Sequence, residues 1–137
     1  MEIQKTTELC NAGGGALAEA AVKLLVEKLA QDVAMFDVAA HTSITEFYVN
    51  ATGRSLSHVA ALADELVDNF ALRGMTADRV EGKKGNTWIL VDFGSLIVNI
   101  FDSEGRAFYN FDRLLPVESR VNIDSLIKEV DEKFELK

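Results

Sequence analysis

Two apolar runs on either side of Gly94, TWILVDF and SLIVNIF, constrain the fold of this 137-residue chain more than any other feature. Both runs are rich in β-branched and aromatic residues, and Gly94 can take a positive φ, so the sequence predicts a tight β-hairpin. Alternation along the first strand puts Trp88, Leu90 and Asp92 on one face. A carboxylate on that face indicates that the face is not sealed inside a core.

The triplet Asp92-Phe93-Gly94 in this hairpin also occurs in protein kinases, where it holds magnesium. A kinase domain does not fit in 137 residues, and the chain has neither a Gly-rich phosphate loop nor a His-Arg-Asp loop. The triplet is therefore interpreted as a turn between two strands.

Helical and strand-like patterns alternate along the rest of the chain. Apolar residues at helical spacing predict helices over 16–30, from an N-cap at Ser57 to Gly74, over 104–115 up to Pro116, and over a last stripe of Ile123, Leu126, Ile127, Val130 and Phe134. Further strands are predicted over 33–40, 46–52 and 76–82. This order predicts one domain of the α/β or α+β kind, with a small mixed β-sheet of about five strands flanked by helices.

The charge balance argues against nucleic acid as a direct partner. With 14 Lys and Arg against 22 Asp and Glu, the formal charge of -8 repels phosphate. An acidic chain is drawn to basic protein surfaces, although acidity can also serve solubility alone, and composition does not separate these two interpretations.

The few metal-binding and redox-active residues also limit the possibilities. One cysteine, Cys10, cannot form an internal disulfide, and with two histidines no Cys/His zinc cluster can be built. The chain has no signal-peptide pattern and no apolar run long enough for a bilayer, so a soluble, cytoplasmic protein without a membrane partner is expected.

Two small clusters could carry chemistry, and each has a structural explanation that is favoured. Ser57 beside His58 lacks the surroundings of a catalytic serine and is expected to cap a helix. Asp102 and Glu104 could hold a metal, but they stand where a strand gives way to a helix and an acidic first turn is favourable. No cofactor and no metal site are predicted.

Several short pieces of the chain resemble one known family. They are Ala-Thr-Gly (51–53), Ser-His-Val (57–59), Ala-Asp (63–64), Val-Glu-Gly (80–82), Trp-x-x-x-Asp-x-Gly (88–94) and Arg-x-x-Tyr (106–109). Over residues 17 to 115 they follow the order and spacing of the ribosomal silencing factor family, also called the Iojap family. Two positions depart from the family pattern: Asn99 stands where a His is usual, and Leu114-Leu115 where Leu-Trp is frequent. The first departure weakens any role for a histidine there, and the second alters an edge of the expected surface.

The resemblance implies a non-enzymatic role. It implies a nucleotidyltransferase-like fold that binds ribosomal protein number fourteen of the large-subunit series, at the subunit interface, and sterically blocks the small subunit. It also implies a homodimer when the protein is free. The corresponding division of the chain is a flexible lead-in over 1–15, the silencing factor domain over 16–115 and a helical extension over 116–137.

The expected partner-binding residues follow from the matched positions and from the hairpin alternation. They are Trp88, Leu90, Asp92, Phe93, Arg106 and Tyr109. The residues alone favour a core position for Trp88, and the resemblance moves that prediction to an interface. The alternative function is a metal-dependent nucleotidyltransferase-like enzyme using Asp92, Asp102 or Glu104 with magnesium.

Overall fold

A computed structural model describes residues 8–135, and the side chains of residues 134 and 135 lie outside that description. The helices and strands follow in the order α1 Gly14–Glu27, β1 Gln31–Asp37, β2 Phe47–Gly53, α2 Leu56–Leu72, β3 Arg79–Glu81, β4 Trp88–Asp92, β5 Leu96–Asp102, α3 Ser103–Tyr109, β6 Arg120–Val121 and α4 Asp124–Glu135. Two short 3-10 turns, Phe111–Leu114 and Val117–Ser119, connect α3 to β6.

The strands form one mixed sheet in the order β3-β4-β5-β2-β1-β6. Only β2 and β5 run parallel to each other, while the remaining described pairs are antiparallel. The predicted small mixed sheet flanked by helices is confirmed, but the described strands number six instead of about five. The additional strand, β6, has two residues and pairs with Met35 and Phe36, so it is too short to leave a pattern in the sequence.

Helices α1 and α2 pack on one face of the sheet and enclose the main core. Its largest fully buried side chains include Leu17, Leu25, Leu62, Leu66, Phe70, Ile89 and Ile100. Helix α4 lies against α1, where Lys23 Nζ is 2.9 Å from Glu129 Oε2. The predicted last helix is thereby confirmed, with Ile123 and Val130 buried.

The ends of α2 correct one prediction and confirm another. The N-cap is Ser55, whose backbone is extended and whose Oγ accepts a hydrogen bond from His58 N at 3.1 Å. Ser57 was predicted as the cap and instead lies inside the first turn of the helix. Gly74 has φ +91°, Gly74 N donates to Ala71 O, and Met75 N donates to Phe70 O, which is a Schellman ending.

The hairpin around Gly94 forms as predicted. Gly94 has φ +92°, its N–H donates to Asp92 Oδ1 at 2.8 Å, and Phe93 N donates to Leu96 O. The carboxylate of the Asp-Phe-Gly triplet therefore closes a turn, as Asx residues do. The structure leaves Leu90 partly exposed and buries its neighbours Ile89 and Val91, which confirms the alternation.

The predicted helix over 104–115 is wrong beyond Tyr109. Asn110 adopts a left-handed conformation at φ 50°, which ends α3 and turns the chain into the two 3-10 turns. The aromatic rings of Tyr109 and Phe111 then both reach the sheet, whereas Phe108 is 80% exposed. We call residues 103–119 the covering segment, because they lie over the sheet face opposite α1 and α2.

The predicted lead-in over 1–15 lies partly outside the described residues. Within the described part, Leu9 is buried, its N–H donates to Arg73 O at 2.7 Å, and α1 begins at Gly14. The division of the chain at residues 15 and 115 stays a prediction. Among the helices of residues 8–135, none combines the length and apolarity that a bilayer span requires.

Candidate functional site: the outer face of the sheet

The sheet face opposite α1 and α2, here called the outer face, is only partly covered. Strand register places on it the side chains of Trp88, Leu90, Asp92, Ile97, Asn99, Phe101, Tyr48, Asn50, Thr52, Ala34 and Phe36. The covering segment lies over part of this face. Toward β3, Trp88 and Leu90 remain partly exposed. This open part of the outer face is the candidate site.

Trp88 is the centre of an aromatic cluster on the outer face. Its ring centroid lies 5.1 Å from that of Phe101 on β5, 4.7 Å from Tyr109 and 5.8 Å from Phe111. Tyr48 extends the cluster through an edge contact with Phe111 at 5.1 Å. These separations are in the range of favourable aromatic pairs, so the cluster joins the covering segment to three neighbouring strands.

A chain of hydrogen bonds runs beneath this cluster. Trp88 Nε1 donates to Asn99 Oδ1 at 2.9 Å, and Asn99 Nδ2 donates to Asn50 Oδ1 at 3.0 Å. Asn50 Nδ2 donates in turn to Asp112 Oδ1 at 2.8 Å, and Arg106 Nη2 donates to Asp112 Oδ2 at the same distance. Both asparagines are fully buried, and their amides find partners on each side, as buried polar groups must. We call this chain the Trp88 relay.

Charged groups border the exposed part of the outer face. Arg79 on β3 bridges two carboxylates, with Nη1 2.7 Å from Glu81 Oε2 and Nε 3.3 Å from Asp92 Oδ2. Burial, and to a smaller extent the carboxylate of Asp92, raises the pKa of the Tyr48 phenol above its ordinary value. The phenol is therefore neutral at physiological pH.

Next to Trp88 the surface forms a depression of about 410 Å³. It is lined by Glu81, Gly82, Gly85, Thr87, Trp88, Leu90 and Tyr109. Its walls combine an indole, a phenol and a leucine with one carboxylate. A partner that offers an apolar side chain beside a basic group fits this lining.

The structure brings five of the six predicted partner-binding residues to the outer face. Trp88, Leu90 and Asp92 come from β4, and α3 supplies Arg106 and Tyr109. Phe93 is the exception, because it is 3% exposed and packs on Phe70 in the main core, with ring centroids 4.7 Å apart.

Sequence analysis missed three residues of this site. Asn50, Tyr48 and Asp112 were not singled out, although Asn50 and Asn99 each stand inside an apolar strand. An asparagine in such a run signals a buried amide that needs a partner. The identity of the partners depends on strand register, which was not predicted.

Asp92 and Asp102, two of the carboxylates that the alternative nucleotidyltransferase-like enzyme would use, do not lie close together. Asp92 pairs with Ile97 at one end of β5, and Asp102 is the residue that ends β5, about 17 Å further along at the rise of an extended strand. Asp102 Oδ1 accepts a hydrogen bond from Gly105 N at 2.7 Å and caps α3, which confirms the structural interpretation of that cluster. Within residues 8–135 no group of three or more His, Cys, Asp and Glu residues is placed to hold a metal ion.

Comparison with known proteins gives consistent matches. The sequence model of a family described as ribosomal silencing factor during starvation matches residues 13–136. A ribosomal silencing factor of Treponema pallidum is 36% identical over 105 residues, covering 76% of this chain and 90% of the relative. One of Zymomonas mobilis is 33% identical over 100 residues, covering 70% of this chain and 75% of the relative. A crystal structure of a Bacillus halodurans protein superposes with a TM-score of 0.69 at 29% identity, covering 79% of this chain and 98% of that one.

Proposed function

The chain belongs to the ribosomal silencing factor family, and we propose that it binds ribosomal protein number fourteen of the large-subunit series through the outer face and sterically blocks the small subunit. The match over residues 13–136 supports the ribosomal role. The choice of partner protein and the steric mechanism are our proposal. We also propose that the protein acts without catalysis, in the cytoplasm, and that it forms a homodimer when free.

The observation that carries the choice of surface is the half-exposed aromatic cluster. Trp88, Leu90 and Tyr109 expose apolar surface together, on a face that the helices leave open. Clustered aromatic side chains that are neither sealed nor isolated are typical of interface anchors. The proposed contact residues are Trp88, Leu90, Asp92 and Tyr109. Arg106 supports them indirectly, because it binds Asp112 beneath the aromatic cluster.

Electrostatics supports a basic partner. The whole chain carries a formal charge of -8, Glu81 lines the depression, and Asp92 lies on the same strand face as Trp88 and Leu90, with Arg79 pairing both carboxylates. A basic ribosomal protein is attracted to such a surface at long range, and apolar contacts then determine how long it stays.

The proposal predicts that the protein cosediments with isolated large subunits and lowers the yield of joined ribosomes when small subunits are added. The reason is that an occupied subunit interface excludes the second subunit. Sucrose-gradient sedimentation of purified subunits, with and without saturating protein, measures both effects. Unchanged joining at saturation would reject the steric mechanism even if binding persists.

A second prediction concerns salt. We expect the association rate constant to fall steeply between about 50 and 300 mM salt, while the dissociation rate constant changes little, because exposed charges act mainly during the approach. Stopped-flow association with the purified ribosomal protein measures both constants. An association rate constant that does not depend on salt would mean that the acidic balance serves solubility alone.

A further inference from the structure

The Trp88 relay has a fixed direction. An indole N–H can only donate and an ionised carboxylate can only accept, so Trp88 and Asp112 determine how both amides between them are turned. Reversing either Asn50 or Asn99 would bring two donors or two acceptors face to face at a fully buried site. The relay is therefore a single arrangement in which each member orients the next.

The relay also joins parts of the chain that are distant in sequence. It runs from β4 across β5 to β2, which are neighbours in the sheet, and ends at Asp112 in the covering segment. Arg106 fastens α3 at the same point, with Nη2 on Asp112 and Nη1 2.9 Å from Thr52 Oγ1. One carboxylate thus connects the sheet, α3 and the first 3-10 turn.

Most of the covering segment is exposed or only partly buried. Within it only Gly105 and Ser119 are buried, and Phe108, Leu114 and Val117 are exposed by 80%, 74% and 87%. Its remaining ties to the outer face are aromatic and aliphatic contacts, such as those of Tyr109 and Phe111 with Trp88. Apolar contacts tolerate sliding and rotation more than hydrogen bonds do, so the directional constraints come from Asp112 and from the Arg106 bond to Thr52.

We propose that Asn50, Asn99 and Asp112 are positioning residues of the recognition surface. They set the orientation of the Trp88 indole and hold Tyr109 beside it, without contacting the partner themselves. The statement about recognition rests on the proposed function, whereas the orientation of the indole is a property of the free protein.

Exchanging the amide of Asn50 with the carboxylate of Asp112 tests this proposal. Asn50→Asp leaves the shape of the side chain unchanged but sets two carboxylates against each other at the step to Asp112. Asp112→Asn removes the charge that Arg106 binds. The double variant Asn50→Asp/Asp112→Asn restores complementarity, because the new carboxylate accepts from Asn99 and from the new amide, whose oxygen accepts from Arg106.

Two readouts are needed. Trp88 is the single tryptophan of the chain, so its indole N–H gives one side-chain resonance whose shift and solvent exchange report on the first bond of the relay. Affinity for purified large subunits is measured at a temperature where circular dichroism shows every variant to be folded. Asn122→Asp is the matched control, since Asn122 is exposed just before α4, outside the relay, and its Oδ1 accepts a hydrogen bond from Asp124 N that an aspartate can also accept.

We expect Asn50→Asp to shift the indole resonance, accelerate its exchange and weaken binding roughly tenfold or more. The double variant is expected to recover most of both effects, and the control to change neither. If Asn50→Asp does not fold, the Asp112→Asn variant alone tests the proposal. A shifted indole resonance and weaker binding are then expected for Asp112→Asn. Folded variants with an unchanged indole signal and unchanged affinity would overturn the proposal. If the wild-type protein itself fails to bind large subunits, the proposed function is rejected, and the indole signal still tests the relay.

Discussion

Replacing Trp88 with alanine is expected to weaken binding to the large subunit by about 2 kcal/mol or more, roughly thirtyfold, and to lower the free energy of unfolding as well. The indole is half-buried against Phe101, Tyr109 and Phe111, and its removal also leaves Asn99 Oδ1 without a donor. Because part of the ring is exposed, the stability loss should stay below the 3 to 5 kcal/mol typical of a fully buried tryptophan, at about 1 to 3 kcal/mol.

Interface and core were alternatives in the sequence interpretation of Trp88, and the structure gives it features of both. One more variant tests how much the ring packing contributes to stability and to affinity. Trp88→Phe removes the N–H and leaves Asn99 Oδ1 without a donor, as Trp88→Ala does, but it keeps much of the ring packing, so it should lose less stability and less affinity than Trp88→Ala. Denaturant unfolding gives the first quantity, and equilibrium binding to large subunits gives the second.

Leu72→Ala is a suitable control for this experiment. Leu72 is as exposed as Phe108 but lies at the end of α2, on the core side of the sheet, so its removal should leave binding unchanged. A folded Trp88→Ala protein that binds large subunits with wild-type affinity would refute the role of Trp88 as an anchor.

The second large effect is expected for Asn99→Asp. The new carboxylate can still accept from Trp88, but its other oxygen faces Asn50 Oδ1, and the side chain is fully buried. An uncompensated buried charge typically costs 3 to 5 kcal/mol, so we expect a loss of about 3 kcal/mol or more in the free energy of unfolding at pH 7.

This loss should depend on pH in a defined direction. Burial raises the pKa of the new carboxyl in the folded protein above its unfolded value of about 3.9, so the folded state binds the additional proton. Protonation also creates an O–H that can donate to Asn50 Oδ1. The stability difference from wild type should therefore be largest above the raised pKa and shrink as pH falls through it toward about 4.

Urea unfolding of both proteins between about pH 4.5 and 8 measures this difference. The comparison with wild type removes the acid sensitivity that the two proteins share. Asn122→Asp serves again as the control for a change of the same chemistry at an exposed position. A difference that stays constant across this range would show that the new carboxyl is not buried against Asn50.

The sequence by itself determined most of the local structure. Apolar spacing and glycine placement are local properties, so α1, α2 and α4, the Gly94 hairpin and the alternation of Trp88 and Leu90 with Ile89 were predicted from short stretches. The family and the small mixed sheet followed in the same way from residue patterns.

Tertiary structure alone decided how the outer face is built. The predicted helix over 104–115 failed beyond Tyr109 because Asn110 turns left-handed, which brings Tyr109 and Phe111 onto the sheet. Phe93 went to the core, since its place in the strand alternation is that of Ile89 and not that of Trp88.

Local sequence patterns could not predict the Trp88 relay either, because its members are far apart in the sequence. Asn99 is 49 positions from Asn50, and Asn50 is 62 positions from Asp112. Only the pairing of β5 with β2 and the path of the covering segment bring these side chains within hydrogen-bonding distance. An asparagine within an apolar strand indicates that a buried amide requires a partner, whereas sheet register and chain path determine which residue that partner is.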